Sequence, residues 1–354
     1  TFDASEYTYL GTGNGITITN NISIPTTALA GTTKMRVRVR YSSSIASTDA
    51  CTGFTYGEAE DYNVTLVCPT LSLSSSPTNT TVCSGGNATF SASGSGAGLT
   101  YQWQENTGSS WVNITNGGIY SGSTTSSLTL TGATTTQNSY QYRCVIGTAC
   151  DVATVTSNAA TLTVNSLPGI GSNPSNSTIC ENANTSFSVT GSGTGASYQW
   201  QVDMGSGFLN LSDIGVYSGT GTNNMTITAA TAAMNGYQFR CVVSGSCTPS
   251  VTSTAATLTV NSLPTIIGQP NNTTMSACAL AGSASCTTVA TGTGISYQWQ
   301  ENTGSGWSNL GVNPVIVAGS GVITFINPPA SMNGYQYRCI VSGICTPSVT
   351  SNVV

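Results

Sequence analysis

The feature that most constrains this chain is a framework of aromatic, amide and cysteine residues that returns three times. Tyr101-Gln102-Trp103-Gln104 comes back as Tyr198-Gln199-Trp200-Gln201 and as Tyr297-Gln298-Trp299-Gln300. Downstream, Tyr140-Gln141-Tyr142-Arg143-Cys144 comes back as Tyr237-Gln238-Phe239-Arg240-Cys241 and Tyr335-Gln336-Tyr337-Arg338-Cys339. Trp103 and Trp200 are 97 residues apart, Trp200 and Trp299 are 99 apart, and the tryptophan-to-cysteine gaps are 41, 41 and 40. A repeat of that length is one two-sheet sandwich.

Within each copy the apolar residues alternate with hydroxyls, as in Leu128-Thr129-Leu130 and Thr161-Leu162-Thr163-Val164. This is the pattern of a half-buried strand. Gly/Ser clusters such as Gly94-Ser95-Gly96 and Gly117-Gly118 are expected to separate strands, and no stretch sustains a helical period. Only 5% of the 354 residues are charged, so solubility has to come from hydroxyls and amides. Disordered chains are usually charged and poor in aromatic and β-branched residues, whereas this one keeps Trp, Tyr and Val at regular intervals. The expected class is all-β, arranged as a semi-rigid rod because joints such as Ser166-Leu167-Pro168 and Ser262-Leu263-Pro264 are short and carry proline.

The three copies resemble immunoglobulin-like domains, and in particular the Ig-like repeats of very long Bacteroidota surface proteins. The resemblance places Trp103, Trp200 and Trp299 on strand C as core residues. It puts Tyr142, Phe239 and Tyr337, which belong to the same core framework, at the position of the tyrosine corner on strand F, so the corner hydrogen bond is expected to be missing where Phe239 stands. Thirteen residues before each tryptophan, on strand B, lie Phe90, Phe187 and Cys286. Only the third copy is therefore expected to form the inter-sheet disulfide, Cys286 to Cys339. The first two are expected to keep a buried thiol beside a phenylalanine.

Twelve cysteines without a histidine point to disulfides and an oxidising, extracellular setting rather than to zinc. Cys83, Cys180 and Cys278 precede strand B, while Cys150, Cys247 and Cys345 follow strand F. Strands B and F run the same way, so a bond within one copy would have to cross the sandwich. A disulfide needs Cα atoms within about 7 Å. One pairing consistent with this is an interdomain ladder, Cys68–Cys150, Cys83–Cys247 and Cys180–Cys345, with Cys278 reaching a further domain. The other is that the strand register differs and each copy closes on itself.

Residues 1–67 have another character. Lys34-Met35-Arg36-Val37-Arg38-Val39-Arg40-Tyr41 holds four of the seven basic residues, alternating as a strand with a charged outer face balanced by nearby acids. Gly57-Glu58-Ala59-Glu60-Asp61-Tyr62 resembles the motif of the GEVED domain, a small β-domain of secreted bacterial proteins, with Ala59 in place of the central valine. The resemblance implies that the domain is partial here and that Cys51 has lost its partner. It also implies that Asp3 and Glu6 end an oxygen-rich calcium loop; no other cofactor is expected. The expected organisation is a GEVED-like piece over 1–67 and Ig-like domains over 68–165, 166–262 and 263–354. The last of these stops before its final strand, which a following segment or a neighbour would supply. Thr1 is not a natural start, and the chain reads as a window on a longer polypeptide.

The chemistry inventory is sparse. Histidine, the commonest general base, is absent, the carboxylates of the repeats are scattered singly, and no Gly-x-Ser-x-Gly elbow is present. A net charge of −5 gives no electrostatic case for nucleic acid, and no run approaches the roughly 20 apolar residues of a membrane span. The expectation is a non-enzymatic stalk of a secreted adhesin or filament at the cell surface, with type IX-like export implied by the resemblance. Its partners would be further domains of the same chain and other copies in a filament. The alternative is an accessory module of a secreted enzyme that binds glycan or protein through Trp111, Phe208 and Trp307, which share one repeat position.

Overall fold

A computed structural model describes residues 19, 21–22, 24, 30–40, 57–149, 152–272 and 282–354. The chain divides into two compact units, Thr1–Ser166 and Leu167–Val354. Asp3, Glu6, Cys51, Cys150 and Cys278 lie outside the described residues.

The first unit opens with an antiparallel pair, β1 (Gly31–Arg40) and β2 (Gly57–Leu66). Its register sets the basic strand against the acidic motif: Arg36 opposes Asp61, and Val37 opposes Glu60. The Arg36 guanidinium grips Asp61 bidentately, Nε to Oδ1 at 2.6 Å and Nη2 to Oδ2 at 2.8 Å, which holds the carboxyl below the usual carboxylate range. Of the motif's acids, Asp61 thus faces a cation, while Glu60 and Glu58 stand opposite Val37 and Val39. The expected apolar face is not fully covered, since Val39 is 61% exposed.

A sandwich follows, built from β3 (Ser72–Ser75), β4 (Thr80–Cys83), β5 (Gly86–Ser91), β6 (Ser93–Ser95), β7 (Leu99–Asn106), β8 (Trp111–Asn113), β9 (Tyr120–Ser121), β10 (Ser127–Ala133), β11 (Gln141–Thr148), β12 (Thr154–Thr156) and β13 (Ala160–Asn165). One sheet has the order β5-β10-β9. The other runs β4-β13-β11-β7-β8, with β12 beside β11 and β4 parallel to β13. Strict alternation along β11 buries Tyr142, Cys144 and Ile146 against Phe90, Trp103, Leu128 and Leu162 in one core. Gly94 and Ser95, expected as a strand separator, instead lie in β6, paired with β3. A Cβ on Gly94 would come 2.9 Å from the Ser72 carbonyl oxygen, so a missing side chain lets the two backbones approach.

The second unit repeats this plan, with the parallel edge pair in the second sandwich but not among the described residues of the third. Thr185–Ser188, Asn224–Ile227 and Tyr217–Ser218 form one sheet. The facing sheet is centred on Ser197–Asp203 and Gln238–Ser244, with Ser177–Cys180 parallel to Ala256–Asn261 at its edge. The third sandwich pairs Ser283–Thr287 with Val322–Ile326, and Ser296–Asn302 with Gln336–Ser342. Trp200 and Trp299 each sit within a separate hydrophobic cluster. A 3-10 turn precedes the cysteine strand in all three copies, at Thr135–Gln137, Ala232–Met234 and Ala330–Met332.

Candidate functional site

Two features recur closely enough to be sites: the tryptophan-centred interior with the surface stack on the opposite side of its sheet, and the cysteine-bridged joint.

The core tryptophans are locked by a turn. Trp103 donates its amide to Ser123 O and its indole Nε1 to Thr125 O, both at 2.9 Å. Trp200 does the same with Thr220 O and Thr222 O, again at 2.9 Å. Gly122 makes the turn possible: its φ is +78°, and an added Cβ would lie 2.1 Å from Ser127 O. In the third copy the turn between Ile316 and Ile323 is one residue shorter, and Trp299 Nε1 is buried without a partner. The gap of 40 rather than 41 therefore has a local cause.

Tyr142 lies in the core framework, but its hydroxyl meets a side chain and not the backbone of the corner. Alternation in β11 turns it into the core, fully buried and stacked on Phe90 with ring centroids 4.8 Å apart. Its hydroxyl lies 3.2 Å from that of Tyr120, which donates to Glu105 Oε2 at 2.6 Å. Burial pushes the Tyr142 phenol up to about 12. Phe239 takes the same core place and stacks on Phe187 at 4.9 Å, while the Tyr337 hydroxyl is buried without a partner. The corner is held instead by amides: Val164 N donates to Asn138 Oδ1 at 2.9 Å, and Val260 N to Asn235 Oδ1 at 3.0 Å.

Nor does the expected Cys286–Cys339 bond form. Cys339 keeps its thiol, whose Sγ points along its own strand, 3.9 Å from Ile340 O. Cys144 and Cys241 adopt the same orientation, 3.8 and 3.7 Å from Val145 O and Val242 O. Burial raises all three thiols, Cys144 and Cys339 to about 11. The backbone N–H of each of these cysteines is met by a buried serine, Ser157, Ser253 or Ser351, at 2.8–2.9 Å. Each of those serines closes a Val-Thr-Ser triplet, 13, 12 and 12 residues after its cysteine, and that triplet is the signal in the sequence that marks them.

On the outer face of the tryptophan sheet, the guanidinium carbons of Arg143, Arg240 and Arg338 lie over the rings of Trp111, Phe208 and Trp307 at 4.2, 3.8 and 4.2 Å. Each arginine Nε donates to a glutamine, Gln104, Gln201 or Gln300, at 2.7–2.8 Å. Each glutamine donates in turn to Asn113, Asn210 or Asn309 at 2.8–2.9 Å. One face of every ring is thus occupied by a cation held in place by neutral amides. A sugar stacking on that ring would need the other face or would have to displace the arginine.

Two repeat carboxylates behave as interchangeable acceptors. Asp203 caps Gly205 N and Gly207 N at 2.7 and 2.9 Å, the work done by Asn302 for Gly304 N and Gly306 N. Asp213 accepts from Thr220 N at 2.8 Å where Asn116 accepts from Ser123 N at 2.9 Å. Those hydrogen bonds pull both aspartates below the usual range. An amide cannot replace a general acid or base, so these positions are structural. Among the described residues no group of three or more His, Cys, Asp or Glu side chains is placed to hold a metal.

The second feature is covalent. The structure bonds Cys180, at the end of Ser177–Cys180 in the second sandwich, to Cys345 of the third, with Cα atoms 5.7 Å apart. Neither cysteine closes its own sandwich. Cys345 is 1% exposed, and its Sγ lies 3.5 Å from Asn261 O, the carbonyl that also accepts from Glu181 N at 2.8 Å. The linker is seated beside it: Ser262 N donates to Thr293 Oγ1 at 2.9 Å, and Thr293 N to Ser262 O at 3.2 Å. Added Cβ atoms on Gly292 or Gly343 would come within 3.0–3.1 Å of Pro264. Cys68, Cys83 and Cys247 are also in disulfides.

Comparison with known proteins agrees with this architecture. Residues 1–65 match the GEVED domain family. No curated protein matches the chain. An I-band fragment of titin superimposes with a TM-score of 0.58 at 17% identity, covering 80% of this chain and 96% of its own. A 3Ig structure of an E-to-A mutated titin variant gives 0.57 at 18%, with the same coverages of 80% and 96%. Immunoglobulin domains 1–5 of Sidekick-1 give 0.44 at 18%, covering 81% of this chain and 58% of theirs. At such identities the likeness is one of fold: tandem immunoglobulin-like sandwiches, preceded by the residues that match the GEVED family.

Proposed function

We propose that this chain is a non-enzymatic structural segment of a secreted bacterial surface protein, a stalk within an adhesin or an extracellular filament. The observation that carries the reading is the joint between the second and third sandwiches, where a disulfide and a proline linker tie two repeats together. Covalent ties between repeats serve length and stiffness and give no chemistry. The disulfide-bonded cysteines fit an oxidising, extracellular location, and among the described residues no helix is long and apolar enough to cross a membrane. Two of the repeat carboxylates, Asp203 and Asp213, occupy positions where another copy uses an amide, which supports a role without catalysis.

Immunogold electron microscopy of the producing cell tests the proposal. Label on surface-attached fibres is expected, and label confined to a freely secreted soluble enzyme would overturn it. A glycan array addresses the accessory-module alternative. Binding that is lost in Trp111→Ala and Trp307→Ala variants would favour that alternative over the stalk.

A further inference from the structure

The bridge between Cys180 and Cys345 has a consequence that depends only on connectivity, whatever surface the protein occupies. The two cysteines are separated by 165 residues of sequence. Nearly all of the second and third sandwiches lies between them: both tryptophan strands, both cysteine strands and the linker Ser262-Leu263-Pro264. Outside the bridge remain only Leu167 to Cys180 on one side and Cys345 to Val354 on the other.

We propose that the Cys180–Cys345 disulfide is a tension strap that carries a pulling force past the two sandwiches instead of through them. Tension entering at Leu167 reaches Cys180 along Ser177–Cys180, crosses the sulfur bridge, and leaves through the segment after Cys345. That segment is held to the third sandwich by the pairing of Val349–Thr350 with Gln336–Ser342 and by two hydrogen bonds between Tyr337 and Val354, both 2.9 Å. A sulfur–sulfur bond survives loads that separate hydrogen-bonded strands. The sandwiches can still lose their edge strands under load, but the 165-residue span cannot be drawn out. At about 3.3–3.6 Å per extended residue, the strap withholds roughly 550–590 Å of chain.

The position of the bridge suits this role. Cys345 is buried at the joint and Cys180 is half-buried, which limits the access of reductants to the bridge. Ser177–Cys180 is parallel to Ala256–Asn261, with Cys180 opposite Asn261, so the strap begins where the second sandwich hands over to its linker. The bridge and the linker therefore leave the second sandwich side by side. The covalent detour adds almost no slack to the path.

Single-molecule pulling on the full chain, with handles attached at Leu167 and Val354, tests the proposal. Without reductant, the wild-type protein is expected to lengthen by under about 100 Å between the handles, the extended length of the residues outside the strap. The Cys180→Ser/Cys345→Ser double variant, in which Cys247 stays in a disulfide, is expected to release several hundred ångströms more, up to roughly 550–590 Å. Adding a phosphine reductant to wild-type molecules already held under load is expected to release that same length in a single step, without relying on how the variant folds. Equal lengthening of the oxidised wild type and the double variant, with no step on reduction, would overturn the strap. A negative immunogold result would leave it standing, because the pulling experiment makes no use of where the protein resides.

Discussion

The three core tryptophans allow one mutation to be made in three related interiors that differ at the indole hydrogen bond. Trp→Phe at position 103, 200 or 299 removes part of a side chain that is 0–2% exposed, which costs about 1–3 kcal/mol in every copy through lost burial and the space left behind. In the first two copies the change also deletes a hydrogen bond of 2.9 Å and leaves the carbonyl of Thr125 or Thr222 short of a donor, adding about 1–3 kcal/mol. In the third, Trp299 Nε1 has no partner to lose, and phenylalanine removes a buried orphan donor, returning about 1–3 kcal/mol. Trp103→Phe and Trp200→Phe should therefore each cost at least about 2 kcal/mol more than Trp299→Phe. Native-state hydrogen exchange read by mass spectrometry can follow peptides from each sandwich separately, which a global unfolding curve cannot. Penalties equal within about 0.5 kcal/mol across the three copies would refute the account of the shortened turn.

Other changes test neighbouring parts of the argument. Gly122→Ala must hold a left-handed residue with its Cβ 2.1 Å from a carbonyl, and should lower the stability of the first sandwich by at least about 2 kcal/mol in the same exchange measurement. Opening the strap with Cys180→Ser removes a 165-residue constraint from the unfolded chain, for which chain entropy alone gives a loss of about 5 kcal/mol, read as a lower urea midpoint in the second unit. Cys144 and Cys339 titrate near 11 when folded, against 9.0 for the free thiol. The unfolded chain sheds these protons first, so stability should hold below pH 9 and fall as pH rises from 9 to 11; a urea midpoint flat across that range would contradict the buried thiols. Asp213, lowered by Thr220, contributes stability that is present above pH 3.8 and lost as pH falls through its folded value. Asp213→Asn should blunt that acid loss while leaving exchange in the Thr220 turn near wild type at pH 7.

Much of this architecture could be read from the residues, because the period of 97 to 99 residues and the alternation along each strand are properties of the chain itself. Side-chain direction within a strand is less legible than the strand itself. Tyr142 is two residues before Cys144 and so shares its buried face, but spacing does not say that its hydroxyl meets Tyr120 in place of the corner backbone. Cys286 lies at the strand position expected of a bonding partner, but whether a bond forms depends on where Cys339 Sγ points, and rotamers leave no trace in spacing. The asparagines that fasten corners and edges, such as Asn138 to Val164 N and Asn79 to Thr161 N at 2.8 Å, were invisible for a different reason. In a chain this rich in amides, the few with a fixed task look like all the rest. The stacking of Arg143 on Trp111 was hidden because the partners come from strands more than thirty residues apart.

The exchange of aspartate for asparagine between copies separates the protein's electrical character from its shape. Turn caps at Asn106, Asp203 and Asn302 need only an oxygen that accepts backbone N–H groups, and a carboxylate or an amide supplies it equally well. Successive repeats can therefore drift in acidity, hydration and response to salt while their strands and cores stay in place. A lineage of such chains has a free choice of how repulsive its surface is toward its own neighbours.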